Sequence, residues 1–226
     1  GKMYMAHIPK CGTAELQIPD FQAALSQSLL PQEDYDSEKW LYVPCRYDEF
    51  RYILGTKGKK PLICIGINPS TARPDALDNT LKSVERTALF NGYDSFLMFN
   101  LYAQRATDPD YMERTFNSLL HRQNMAAFTY ILENAGRQPA IWAAWGTIIE
   151  KREYLFDCMA EMVSLGEQYG AQWYTCGKRS AKGHPHHPLY LKKNSPLEEF
   201  DIAEYLECTR TKSLRRPKPA PIFSAG

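Results

Sequence analysis

From residue 62 onward, short and densely apolar runs alternate with longer stretches whose apolar residues recur at helical spacing, and this alternation restricts the fold more than any other feature. The runs lie at 62–67, 96–99, 140–145 and 171–176. Strands separated by helices imply βαβ units and a largely parallel sheet covered on both faces. Between the runs, Asp78 reads as the cap of a helix through Phe90, with Leu81, Val84, Ala88 and Leu89 on one face and Asn91-Gly92 ending it. Asp108 and Pro109 read as cap and first position of a long helix carrying the stripe Met112, Phe116, Leu119, Leu120, Ala127, Tyr130 and Ile131. Gly146-Thr147 opens a third helix, with Ile148, Leu155, Met159, Met162 and Val163 inward and Gly166 closing it, and 197–208 reads as the last. Upstream, a helix from Phe21 to Leu29 stops before Pro31, 40–43 and 50–54 read as short strands, and 55–60 is a basic turn. The expectation is an α/β fold whose central sheet is mostly parallel, with 1–40 as an N-terminal extension, 41–209 as the domain and 210–226 as a basic, Pro-rich tail.

At 226 residues and 44% hydrophobic content, the chain can bury the core of a single domain. Its formal charge of +1 names no acidic partner by itself. No apolar run approaches the roughly eighteen residues a membrane span requires, and the N-terminus lacks a charged-then-apolar leader pattern. Cys11, Cys45, Cys64, Cys158, Cys176 and Cys208 form no CxxC pair and no regular spacing, which argues against a zinc ribbon, an iron–sulfur cluster or a disulfide framework. Reduced thiols suit a cytoplasmic protein. A monomer with no membrane contact, no metal and no cofactor is expected.

The chemistry concentrates where the apolar runs end. Gly66-Ile67-Asn68-Pro69-Ser70 follows the first run, Asn100-Leu101-Tyr102 the second and Trp145-Gly146 the third, while the fourth leads through Gly177-Lys178-Arg179 to His184-Pro185-His186-His187-Pro188-Leu189-Tyr190. Parallel strands bring such ends to one edge, where α/β proteins bind ligands. Asn68 offers an amide that can orient water but cannot serve as a strong base. Asn100 presents a donor and an acceptor, matching the amide edge of a pyrimidine, and Trp145, Tyr102 or Tyr190 could stack on a base. His187 suits donation to a developing oxyanion. Against these roles stand plainer ones: an Asn-Pro turn, strand packing by Gly66 and Pro69, a structural histidine, and aromatic side chains filling core volume. Three histidines in four positions also raise metal binding. No CxxC or ExxH partner set accompanies them.

Gly66-Ile67-Asn68-Pro69 resembles the first motif of the uracil-DNA glycosylase superfamily, especially the GINPG form of its mismatch-specific thymine/uracil branch, and the histidine segment resembles that superfamily's HPSPLS motif. Phe99-Asn100 is similar to the strand ending in the base-reading asparagine, and Ala144-Trp145-Gly146 to the LWG before the second motif. The pattern NPSTA, NLYA, AWG and HPLYL is closer still to an uncharacterised bacterial and phage family. The superfamily resemblance implies a three-layer α/β/α sandwich and a DNA glycosylase that hydrolyses the N-glycosidic bond of a flipped uracil-like or 5-modified pyrimidine. In that scheme Asn68 positions water, Asn100 reads the base, His187 or His184 stabilises the departing base, and Leu189 or Tyr190 fills the vacated stack. Ser70 replaces the tyrosine that blocks 5-substituents in strict uracil enzymes. DNA, single- or double-stranded, is the implied partner, and Lys178, Arg179 and Lys182, with Lys57, Lys59, Lys60 and the tail's Arg210, Lys212, Arg215, Arg216 and Lys218, are candidates for phosphate contact. A noncatalytic nucleic-acid- or nucleotide-binding protein on the same fold and an enzyme of free nucleosides or nucleotides are the alternatives.

Overall fold

The computed structural model describes residues 5–215, so most of the expected tail, including Arg216 and Lys218, lies outside the described residues. Seven strands form the sheet, the four apolar runs among them. They are β1 (Trp40–Val43), β2 (Ile53–Thr56), β3 (Pro61–Gly66), β4 (Ser95–Asn100), β5 (Ala140–Ala143), β6 (Gln172–Cys176) and β7 (Leu197–Glu199). Five helices accompany them: α1 (Phe21–Ser28), α2 (Asn79–Phe90), α3 (Ser118–Asn134), α4 (Tyr154–Gln168) and α5 (Ile202–Arg215).

The sheet order is β1-β2-β4-β3-β5-β6-β7. Its centre, β4-β3-β5-β6, is parallel, as expected of strands joined by helices. Its margins are not: β1–β2, β2–β4 and β6–β7 pair antiparallel, so the sheet is mixed rather than mostly parallel. For β1 and β2 the reason is connection length, because the short link 44–52 can turn a hairpin but cannot make a crossover. Successive residues of β3 point to opposite faces: Ile63 and Ile65 join one apolar cluster with Phe99, Phe128 and Met159, while Leu62 and Cys64 join another with Val84 and Trp142. Every residue of β4 is buried. Such strands read as continuous apolar runs, which is why they were legible.

Three local expectations fail for tertiary reasons. Asp108 caps only a 3₁₀ turn, Pro109–Tyr111, and the long helix waits for Asn117, whose side chain accepts from Leu119 N and Leu120 N. Carbonyls that a helix would have used are taken by Arg152, which donates to Asp110 O at 2.8 Å and Met112 O at 2.6 Å, and by the Tyr154 hydroxyl on Glu113 O. Similarly, Thr147–Lys151 is a 3₁₀ turn before α4, which runs past Gly166 to Gln168. The expected helix over 197–208 opens instead with β7 pairing on β6, and the helix proper follows Asp201, whose carboxylate accepts from Glu204 N. The expected strand over 50–54 lies slightly later, at 53–56. The N-terminal segment packs into the main core through Phe21, fully buried between Tyr52 and Tyr130.

Candidate functional site

The ends of β3 and β4 lie side by side, with Gly66 opposite Asn100. Their pairing continues beyond the sheet, since Leu101 N donates to Gly66 O, Tyr102 N to Ile67 O and Ala106 N to Pro69 O. Close approach explains the glycine: a Cβ at Gly66 would meet Met98 Cε at 2.8 Å and Asn100 Oδ1 at 3.0 Å. Asn68 latches these two loops together, its Nδ2 donating to Pro69 O, Gln104 O and Ala106 O at 3.2, 3.2 and 2.9 Å. With the amide nitrogen committed, Oδ1 is the face left for a ligand or a water.

Asn100 is 2% exposed, and its Nδ2 has no hydrogen-bond partner. A buried unsatisfied donor costs about 1–3 kcal/mol, and this one belongs to a residue that lines the cleft described below. His187 comes from the segment after β6. Its Nδ1 accepts from Leu189 N at 3.1 Å, which leaves the proton on Nε2. Burial, reinforced by His186 and opposed by Asp78, lowers its pKa below the usual 6.5, so the ring is neutral near pH 7 and donates through Nε2. Asp78 caps α2 by accepting from Leu81 N at 2.9 Å.

All of these side chains line one cleft of about 480 Å³. Gly66, Asn68, Pro69 and Ser70 form one wall with Thr107, whose hydroxyl meets Ser70 Oγ at 2.8 Å. Asn100 and Met98 come from β4, His187 and Leu189 from the histidine segment, and Asp78 to Lys82 from the start of α2. Of the four groups expected at one rim, Asn68, Asn100 and His187 line this cleft and Trp145 does not.

Other expected site residues lie elsewhere. Trp145 is fully buried, its Nε1 donating to Tyr205 Oη at 2.9 Å, so it cannot stack on a ligand in the cleft. His184 is also buried, with Nδ1 2.7 Å from the same Tyr205 hydroxyl and Nε2 3.4 Å from Glu150, so of the two candidate histidines only His187 lines the cleft. Tyr190 is 92% exposed at φ +68°, a conformation uncommon for a bulky residue. Arg179 donates to Gly183 O and lies 5.0 Å over the Phe200 ring, Lys182 pairs with Glu150, and neither they nor Lys178 line the cleft. Among the described residues, no three His, Cys, Asp or Glu side chains gather as a metal would need. None of the described helices is long and apolar enough to cross a membrane.

Two arginines went unread in the sequence. Arg51 is 1% exposed and lines the cleft, donating through Nη1 to Ala72 O at 3.2 Å. Arg105, fully buried, donates to Ser70 O, Ala72 O and the Tyr42 hydroxyl, with its guanidinium 3.9 Å over the Tyr47 ring. Burial lowers both pKa values, and that of Arg51 falls to about 9, so both remain cationic near neutrality. The signal was an arginine inside each of two apolar stretches, Phe50-Arg51-Tyr52-Ile53 and Tyr102-Ala103-Gln104-Arg105-Ala106.

No curated protein and no solved structure matches the chain. A family profile does: that of DUF1643, described as a protein of unknown function, matches residues 51–189, well over half of the sequence. That span holds Arg51, both strand-end asparagines and the histidine segment through Leu189. The chain is a member of the DUF1643 family.

Proposed function

We propose that the cleft holds a pyrimidine nucleotide, in DNA as the glycosylase resemblance implies, and that the protein hydrolyses its N-glycosidic bond. The observation that carries this reading is the convergence, in one cleft, of the Asn68 Oδ1 acceptor, the unpaired Asn100 Nδ2 donor and the neutral His187 Nε2 donor. Asn100 would pair with a carbonyl of the base. Asn68 Oδ1 would accept from a water aimed at C1′ of the sugar. In the reaction the C1′–N bond breaks with its electron pair leaving on the base, the water oxygen bonds to C1′, and the water's released proton passes to the base or to solvent. His187 Nε2–H would stabilise the charge that develops on the departing base, the kind of preorganised donor that contributes most in a water-poor site. Asn68 gives little push to the nucleophile, which suits a late attack on an oxocarbenium-like sugar.

Two further features agree with a base taken from a stack. Tyr190 presents its ring to solvent beside cleft-lining Leu189, as a wedge that offsets unstacking would. Ser70, small and bonded to Thr107, leaves space for a 5-substituent. The two apolar clusters on opposite sides of the sheet support a three-layer sandwich. Among the described residues no Phe, Tyr or Trp lines the cleft, so a base would be gripped by Met98, Ile67 and Leu77 rather than by stacking on such a ring.

The test incubates the protein with oligonucleotides carrying natural and 5-modified pyrimidines and probes for alkali-labile sites. We expect abasic sites at one or more of these bases, with about 100-fold or greater loss in Asn68→Ala and His187→Ala. Absence of abasic product across the panel, with folded protein, would remove the enzymatic reading.

A further inference from the structure

The Arg51 guanidinium has no carboxylate paired with it among the described residues. Its Nη1 meets a carbonyl that Arg105 also uses, at 3.2 and 3.3 Å, and its Nε is buried with no partner. Two like charges therefore sit close together, out of water, held by neutral oxygens. Arg105 is the better satisfied of the two: three acceptors and the Tyr47 ring surround it, although its Nε is likewise buried with no partner. Arg51 is the less satisfied. Asp78, which lines the same cleft, offsets part of its charge through space, and one of its carboxylate oxygens caps α2. A buried cation with unused donors is costly unless an anion or further acceptors complete it.

The surroundings suit an anion with several oxygens. The first turn of α2 (Asn79, Thr80 and Leu81) lines the same cleft, with Thr71 on the preceding loop and Lys82 at the exposed rim. Helix N-termini favour negative charge, and a guanidinium presents its donors in a fork that matches phosphate oxygens. The cleft is rich in donors overall, since Asn100 Nδ2 and His187 Nε2 also face it.

We propose that Arg51 and the first turn of α2 form a phosphate subsite, so that the substrate is gripped by a phosphate ester as well as by its base. This rests on the reading of the cleft as a nucleotide site and adds the group that anchors the ligand. The phosphate could be the monoester of a free nucleotide or of a strand end, or a diester within DNA.

Calorimetric titration of the full chain with thymidine, thymidine 5′-monophosphate, the deoxyuridine pair, inorganic phosphate, and an oligonucleotide without terminal phosphates tests it. The expected result is that a monophosphate binds about tenfold or more tightly than its nucleoside, and that Arg51→Gln abolishes the difference while leaving nucleoside affinity unchanged. Because Arg51→Gln alters a buried group, Lys82→Ala serves as a surface variant, with a smaller loss confined to the phosphorylated ligands. Oligonucleotide binding that exceeds the monophosphate and shows the same Arg51 dependence supports the subsite and assigns it to a backbone diester. Equal binding of nucleoside and monophosphate overturns the subsite while leaving the base reading standing. Phosphate binding lost in Arg51→Gln, with no base discrimination, supports the subsite and removes the base reading. No binding of any probe by the folded protein overturns both.

Discussion

At the scale of single residues, Asn68 and His187 are defined by which atom is already occupied. By chemistry alone, Asn68→Asp should strengthen catalysis, because a carboxylate supplies the base that an amide cannot. The hydrogen bonds predict otherwise. Nδ2 donates to three carbonyls, and a carboxylate would present an oxygen to each of them, leaving loop acceptors unpaired and repelled. Asn68→Asp should therefore destabilise the protein by about 2–4 kcal/mol, read from urea unfolding, with no gain in activity. Wild-type stability in this variant would mean that the latch between the 66–70 and 101–107 loops is dispensable. His187 makes a prediction in pH. Its folded pKa lies below the usual 6.5, so the unfolded chain takes up a proton first as pH falls, and the stability that the neutral ring contributes above about pH 6.5 is lost as pH drops through the folded value. Protonating Nδ1 also breaks the bond from Leu189 N. The slope of unfolding free energy between about pH 7 and pH 5 should shrink in His187→Gln, with a remainder from His7, whose pKa burial also lowers. An unchanged slope would show that His187 is not held neutral.

At the scale of elements, the legible parts are those whose determinants are local. The helix from Asn79 to Phe90 was readable because Asp78 caps it and its buried residues keep helical spacing. Likewise β3 and β4 were readable because both faces are buried, and they carry Gly66, Asn68 and Asn100 to the cleft by the geometry of parallel strands. What escaped depends on distant partners. The 109–117 segment resembles a helix start but gives its carbonyls to Arg152 and Tyr154. Trp145 and His184 look like ligand groups in sequence, and their common partner, Tyr205, arrives only with α5. Arg51 and Arg105 are hidden for the same reason: each is held by backbone carbonyls of 70–72, whose position no side-chain pattern records. β7 is three residues long and owes its conformation to pairing with β6 rather than to any alternation of its own.

At the scale of the molecule, the family match spans 51–189, but the core does not stop there. Phe21 of α1 is fully buried and its backbone N donates to Gln123 Oε1 at 2.7 Å on α3, while Thr13 donates to Glu113 through both its backbone N and its hydroxyl. β1 covers one side of β2, and without it the backbone of β2 becomes an open, apolar edge. At the other end, Tyr205 holds both Trp145 and His184, and losing it would leave two buried polar groups short of a partner next to the segment that delivers His187. A polypeptide limited to 51–189 should therefore fail to fold cooperatively, with near-UV circular dichroism lost and no sharp thermal transition. Within the full chain, Phe21→Ala should cost about 3–5 kcal/mol, the range for emptying a buried aromatic site. A cooperative transition in the 51–189 fragment would instead mean that the first fifty residues, β7 and α5 are packed against a unit already stable alone, a unit that holds every residue lining the cleft.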